Sequence, residues 1–388
     1  MSLIFLADDF PPEVGGIQTY VSELAQALSE HGEEVAVISG RQEGDREFDG
    51  RLPFMTVRVP TAGNQVTAAM NLADGARHAA GQLRTPPRCV IATKWAPEGP
   101  AAILTRGKLS CPLVLLGHGG EFSHAGGSLL KWLVQRVVLR RMSLCLANSQ
   151  FTADLFRRAG VAPERVEVIG GGVRPERFEA AHEAASQIQD EFEIGNRRVL
   201  LTVARLVERK SHETVLAALP DVLERHPDVL YVIIGEGPTG ERLQRQVCRR
   251  GLEQSVMMAG EVDRKLLPGF YATADIFVMP SRPVRGALPE GLGLVFFEAA
   301  AVGTPSIATE FGGIADAITD GETGLLVQPG DYQALAAAIN RLLSNDMLRQ
   351  RIGDAARERT LEAFTWEHVA GRFVDALSAV EHEETGDA

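Results

Sequence analysis

Two series of short apolar runs punctuate the chain, and a stretch of helical periodicity or a turn follows most of them. The first series is 3–7 (LIFLA), 34–39 (EVAVIS), 54–59 (FMTVRV), 89–93 (CVIAT), 113–117 (LVLLG), 143–148 (SLCLAN) and 166–170 (VEVIG). The pattern restarts at 199–204 (VLLTVA) and continues with 230–235, 256–260, 275–281, 305–309 and 324–328. Near-continuous apolar runs of this length suit strands buried on both faces, and strands alternating with helices build parallel sheets. The fold class expected is therefore α/β, with two doubly wound parallel sheets. Helices are expected over 18–30, 66–83 and 149–159, among others. The polar stretch 174–198 reads as a mobile hinge and lead-in, dividing a first domain of 1–174 from a second of 175–365. The acidic tail 382–388 is expected to fray.

Composition narrows the classes. The 388 residues suffice for two domains of ordinary size. A net charge of −12 argues against a general nucleic-acid binder. Cys89, Cys111, Cys145 and Cys248 have no metal-ligand spacing and read as reduced thiols of a cytoplasmic protein. The N-terminal SLIFLADDF reads as a strand followed by acids rather than as a leader peptide. No segment approaches the length of uncharged apolar sequence that spans a bilayer.

Chemistry concentrates in EGLGLVFFE, residues 290–298. A helix begun near Gly293 places Glu298 about one turn in and leaves Glu290 on the preceding loop. Amides at Gly293, Leu294 and Val295 would then point at an anion. Carboxylates for hydroxyls at both ends, with an anion between, describe a nucleotide sugar. A buried helix carrying two incidental glutamates is the plainer alternative. ARLVERK follows the run 199–204 and puts Arg205 and Lys210 at the carboxyl end of a strand, where open α/β sheets bind ligands. Arginine offers phosphate a fork and lysine a point charge. A solvated basic loop would look the same.

Further candidates lie at other strand ends. Gly15 and Gly16 precede the first helix, where glycine admits a diphosphate or simply makes a tight turn. His118 follows 113–117, and Glu121 lies close by. Asp8 and Asp9 could cap a loop or touch an acceptor. Gly235, in the GEG turn 235–237, reads as a close-packed turn near a nucleotide base. No DxD element argues for a metal-bound diphosphate.

Together these motifs resemble the retaining GT-B glycosyltransferases of family four. PPEVGGIQTY (11–20) is similar to the family's first glycine loop, GHGGE (117–121) to its histidine segment, and VIGGGVRPERF (168–178) to the end of its first domain. VARLVERKS, the spacing of Glu290 and Glu298, and FGGIADAITDGETGLLVQPGD (311–331) are similar to its second-domain motifs. The resemblance covers nearly the whole chain and implies two Rossmann-like domains facing a central cleft that closes on the donor. The last helix, about 366–388, would return to the first domain.

The resemblance also implies a reaction. A hexose would pass from a nucleotide-diphosphate sugar to a glycan, lipid or small-molecule acceptor with retention, by internal return, without metal or cofactor. Arg205 and Lys210 would neutralise the leaving diphosphate, helped by the amides of 293–295 and the Gly16 loop. Glu298 would bind ribose hydroxyls, Glu290 the sugar, and His118 the sugar as well, although a lone histidine is more often structural. The sequence departs from the family at Gly171–Arg174, where Asn-Gly-Val-Asp is common, and in a longer loop at 281–290. That loop, with GGIQ, resembles phosphatidylinositol mannosyltransferase-like enzymes and favours GDP-mannose over UDP-hexoses. A nucleotide-sugar epimerase or hydrolase, and a non-catalytic nucleotide-binding protein, are the rival functions.

The segment 128–142 (SLLKWLVQRVVLRRM) is a separate signal. As a basic amphipathic helix it could make a peripheral contact at the inner membrane face. It could equally pack on the sheet with a solvated basic face.

Overall fold

A computed structural model describes residues 2–120, 129–286 and 289–386, with side chains through 380. The chain divides into two compact units. Unit 1 comprises the residues up to Gly171 together with those from Trp366 onward, and unit 2 comprises Gly172–Thr365.

Unit 1 is built on β1 (Ser2–Leu6), β2 (Glu34–Gly40), β3 (Met55–Val59), β4 (Pro87–Ala92), β5 (Leu113–Gly117), β6 (Leu144–Ala147) and β7 (Val166–Val168). Their order across the sheet is β3-β2-β1-β4-β5-β6-β7. Every pairing is parallel. Leu3 to Leu6, Val35 to Ile38 and Leu113 to Leu116 are almost fully buried, as helices on both faces require. The helices Gln65–Ala80, Glu98–Thr105 and Leu129–Arg141 share one apolar cluster through Leu72, Ala101 and Val138. The chain's last helix, Trp366–Gly386, belongs to this unit. Its Phe373 stacks on Phe5 and its Trp366 meets Tyr20 edge-on at 5.1 Å.

Unit 2 repeats the plan with β8 (Arg198–Val203), β9 (Val229–Ile234), β10 (Val256–Gly260), β11 (Ile276–Met279), β12 (Ser306–Thr309) and β13 (Gly324–Val327). The order is β10-β9-β8-β11-β12-β13, again parallel. The stretch 174–198 contains the helix Ala181–Glu191, whose Ala181 and Ile188 are each 1 % exposed. Gly269 lets the helix Leu267–Thr273 approach so closely that a Cβ there would lie 2.8 Å from Ile188. The polar composition of 174–198 concealed a few widely spaced apolar contacts.

In each sheet the order reverses once, between β1 and β4 and between β8 and β11. Connections leave these neighbours in opposite directions and open a crevice at their carboxyl ends. Most candidate residues follow these strands, while His118 follows β5 and Gly235 follows β9.

Candidate active site

In unit 2 the segment after β8 carries Arg205, Arg209 and Lys210. The segment after β11 carries Glu290 and leads into the helix Leu294–Ala301. Lys210 Nζ and Arg209 Nη1 both donate to Glu290 Oε2, each at 2.6 Å. The Lys210 and Glu290 side chains are only 10 % and 13 % exposed. Burial pulls the Lys210 ammonium below its ordinary range, partly offset by Glu290. Burial also favours the neutral Glu290 carboxyl, but Lys210 and Arg209 outweigh it and hold the group down at about 2. Glu290 is therefore ionised at neutral pH. Arg209, one residue before the lysine singled out from the sequence, was missed. Arg205 is exposed, and no hydrogen bond joins its side chain to this group among the described residues.

The main chain of Glu290 is also held. Its carbonyl accepts from Gly313 N at 2.8 Å, and Gly312, at φ 69°, packs so tightly there that a Cβ would overlap that oxygen. Arg282 links the same segment to the one after β8, donating to Glu208 and Glu213 at 2.9 Å each. Its own amide donates to the Arg209 carbonyl at 2.8 Å. Residues 287–288 of the long loop lie outside the described residues.

Gly293 caps the helix Leu294–Ala301 at φ 85°, and a Cβ there would meet the Phe296 ring at 2.7 Å. Amides at Leu294 and Val295 fall in the first turn, where helix geometry provides no intrahelical acceptor. Glu298 lies on the same helix one turn further on. Tyr271 OH donates to its Oε2 at 2.6 Å. Burial, reinforced by Glu298, lifts the Tyr271 phenol well above its ordinary range, so it stays a donor. Gly235 and Gly237 stand at φ 125° and 156°, and Leu206 N donates to Glu236 O at 2.8 Å. The GEG turn thus packs on the backbone that leads to Lys210.

In unit 1 the reversal point brings together Asp8, Asp9, Lys94 and Glu98. Lys94 Nζ lies 2.8 Å from Asp9 Oδ2 and 3.5 Å from Glu98 Oε1, and Asp8 N donates to that Oε1 at 3.1 Å. Glu98 is fully buried, and burial lifts its carboxyl to about 7 with only partial relief from Lys94. Lys94 and Glu98 were not singled out from the sequence, although a Lys and Glu four apart after a strand end were there to notice. His118 follows β5, is 6 % exposed, and meets Tyr20 edge-on at 5.1 Å. Burial, with Lys94 adding to it, drops its imidazole to about 3, so it is neutral at pH 7. Glu121 lies outside the described residues. Gly16 begins the helix Gly16–Glu30, and Gly15 has extended backbone at φ 179°. Among the described residues a Cβ on Gly16 would meet nothing within 4 Å, and one on Gly15 would first meet the flexible Gln18 side chain, at 2.2 Å.

Family models match both units. One described as "Glycosyltransferase Family 4" covers residues 14–177, and one described as "Glycosyl transferases group 1" covers 184–359. The chain is 30 % identical to the GDP-mannose-dependent alpha-(1-6)-phosphatidylinositol monomannoside mannosyltransferase of Mycolicibacterium smegmatis, over 97 % of this chain and 98 % of that one. It is 28 % identical to a glycogen synthase of Mycobacterium tuberculosis, over 95 % and 92 %. Among solved structures it resembles Anabaena HepE in complex with UDP and glucose, with a TM-score of 0.82 at 21 % identity over 98 % and 100 % of the two chains. It also resembles sucrose-phosphate synthase from Thermosynechococcus elongatus, at 0.79 and 23 % identity over 97 % and 99 %.

Proposed function

The chain belongs to the family 4 glycosyltransferases of the GT-B fold, and from that premise we propose that it is a retaining, metal-independent hexosyltransferase. Its donor is a nucleoside-diphosphate sugar, GDP-mannose ahead of UDP-hexoses, and its acceptor a glycan, lipid or small molecule. The observation that carries this reading is the convergence of Lys210 and Arg209 on Glu290, beside a helix that starts at Gly293 and bears Glu298.

Glu290 accepts from both cations. A bound diphosphate competes for them, because phosphate oxygens accept charge-assisted hydrogen bonds as carboxylates do. Lys210 and Arg209, with Arg205 from the rim, then neutralise charge growing on the leaving group, and amides of 294–295 add to it. Glu290, released in part, holds sugar hydroxyls. Glu298, oriented by Tyr271, holds the ribose. In the reaction the anomeric carbon–oxygen bond to the diphosphate breaks, and the acceptor oxygen bonds to the same face. The acceptor's proton passes to the departing phosphate.

In unit 1 a Cβ on Gly16 would meet none of the described residues, which supports close approach of a ligand as the reason for that glycine. His118, neutral and buried, suits a hydroxyl contact. The preference for GDP-mannose rests on the mycobacterial relative, while the HepE complex keeps UDP-hexoses in play. A mass-spectrometric screen of nucleotide sugars, with and without candidate acceptors, tests the proposal. Acceptor-dependent release of nucleoside diphosphate is expected. Equal turnover without acceptor favours a hydrolase or epimerase, and no turnover with tight binding favours a non-catalytic binder.

A further inference from the structure

Side chains hold the main chain of the loop between β1 and the helix Gly16–Glu30. Arg58, on β3, donates from Nη2 to the Pro11 carbonyl at 2.6 Å. Its Nη1 donates to the Gly40 carbonyl, at the end of β2, at 3.2 Å. Its Nε and Nη2 make a fork on the Asp49 carboxylate, at 3.0 and 2.7 Å. Gln42 adds a second fastening. Its Nε2 donates to the Phe10 carbonyl at 3.1 Å, and its Oε1 accepts from Glu13 N at 3.2 Å. Phe10 is fully buried, edge-on to Phe48 at 6.2 Å, with the Arg58 guanidinium over its ring at 5.4 Å.

Stability alone does not account for this arrangement. The Arg58 and Asp49 side chains are only 9 % and 15 % exposed. A pair so far withdrawn from water returns little net stability, because desolvation offsets the attraction. What an arginine fork supplies is geometry, since its donors lie in fixed directions. Core packing does not explain the short helix Asp45–Asp49 either, which buries none of its own residues. Its Phe48 and Asp49 instead reach Phe10 and Arg58. The fastened atoms all lie within Phe10–Glu13, just before Gly15 and Gly16.

We propose that Arg58, seconded by Gln42, is a positioning residue that fixes Phe10–Glu13, so that Gly15 and Gly16 are in place for a nucleoside diphosphate before it binds. The proposal rests on the donor reading above, in which a ligand approaches the Gly16 loop. Arg58 acts at one remove, because all three of its guanidinium nitrogens already donate within unit 1. A loose loop would have to be ordered when the ligand binds, and that ordering would be subtracted from affinity. Losing the clamp therefore weakens binding without altering any group that meets the ligand.

The test uses the full chain, with GDP and UDP as probes. Hydrogen exchange of amides between Asp8 and Tyr20 is read together with Kd by calorimetry. Arg58→Lys keeps the charge but not the fork, so a change in affinity cannot come from lost charge. Gln42→Ala truncates a half-buried side chain and carries the test alone should Arg58→Lys not fold. In the free protein both variants are expected to exchange faster between Asp8 and Tyr20 than wild type. Kd is expected to rise by about tenfold in Arg58→Lys and roughly threefold in Gln42→Ala. A merely structural arginine would lower the melting temperature and the binding stoichiometry at an unchanged Kd. Wild-type exchange in the loop, or a wild-type Kd in both variants, overturns the proposal and leaves the donor reading standing. Failure of the wild type to bind either nucleotide contradicts the donor reading and the proposal with it.

Discussion

Gly312 packs against the main chain of Glu290, whose carbonyl accepts from Gly313 N at 2.8 Å. The Gly312 backbone is left-handed, and a side chain there would overlap the Glu290 carbonyl oxygen. The glycine turn at 311–313 therefore positions a carboxylate more than twenty residues earlier in the chain.

Gly312→Ala is accordingly expected to lower transfer as well as stability. The left-handed backbone alone costs about 1–2 kcal/mol in a residue with a Cβ, before any clash. Gly286, also left-handed at φ 79° but with none of the described residues within 4 Å of a Cβ, is the control. Denaturant titration with parallel donor turnover checks this. Gly286→Ala should lose stability only, whereas equal activity in both variants rejects the positioning role.

Two buried acids give opposite pH signatures. Glu290 is depressed to about 2, so the pair's stabilisation is fully present above the unfolded value of 4.5 and is lost as pH falls through 2. The stability gap between wild type and Glu290→Gln should narrow over that window. Glu98 is raised to about 7, so burying its carboxyl is least costly below 4.5 and increasingly costly as pH rises through 7. Glu98→Gln should therefore gain on wild type between pH 4.5 and 7. Urea midpoints across pH 3–8 on all three proteins measure both effects. Parallel pH curves contradict them.

Tyr271→Phe removes the donor to Glu298 and leaves the ring in place. A hydrogen bond to a charged group supports an expectation of about a tenfold rise in donor KM, with a smaller change in kcat. An unchanged KM would separate Glu298 from donor binding.

Most strands could be placed from sequence because a strand buried on both faces needs an uninterrupted apolar run. Gly293 and Gly235 could be placed because their backbones need glycine. Contacts between distant segments left no local trace. Tyr271 lies 27 residues before Glu298, and Arg209 some eighty before Glu290. Spacing alone could not choose between Arg205, which is exposed, and Arg209, which is paired. The helix Leu129–Arg141 packs Val138 and Leu139 into unit 1 and leaves its arginines exposed, as the plainer of its two sequence readings expects. Apolar residues on both of its faces weaken the periodicity that normally shows which face is buried.

The product should keep the donor's anomeric configuration, since the proposed attack uses the face the diphosphate leaves. Proton NMR of the product from an α-linked donor decides this. A β-linked product rules out internal return.

The most direct test of the donor site compares wild type with Lys210→Ala by mass spectrometry, using GDP-mannose or whichever donor the screen selects. Losing one charged contact to a leaving phosphate is worth roughly 2–4 kcal/mol, by analogy with oxyanion-stabilising donors. The wild type should form nucleoside diphosphate and glycosylated acceptor together. The variant should do so about thirty to a thousand times more slowly while retaining a cooperative melt. Transfer by Lys210→Ala at the wild-type rate would contradict the assignment of the Lys210–Glu290 group as the donor site.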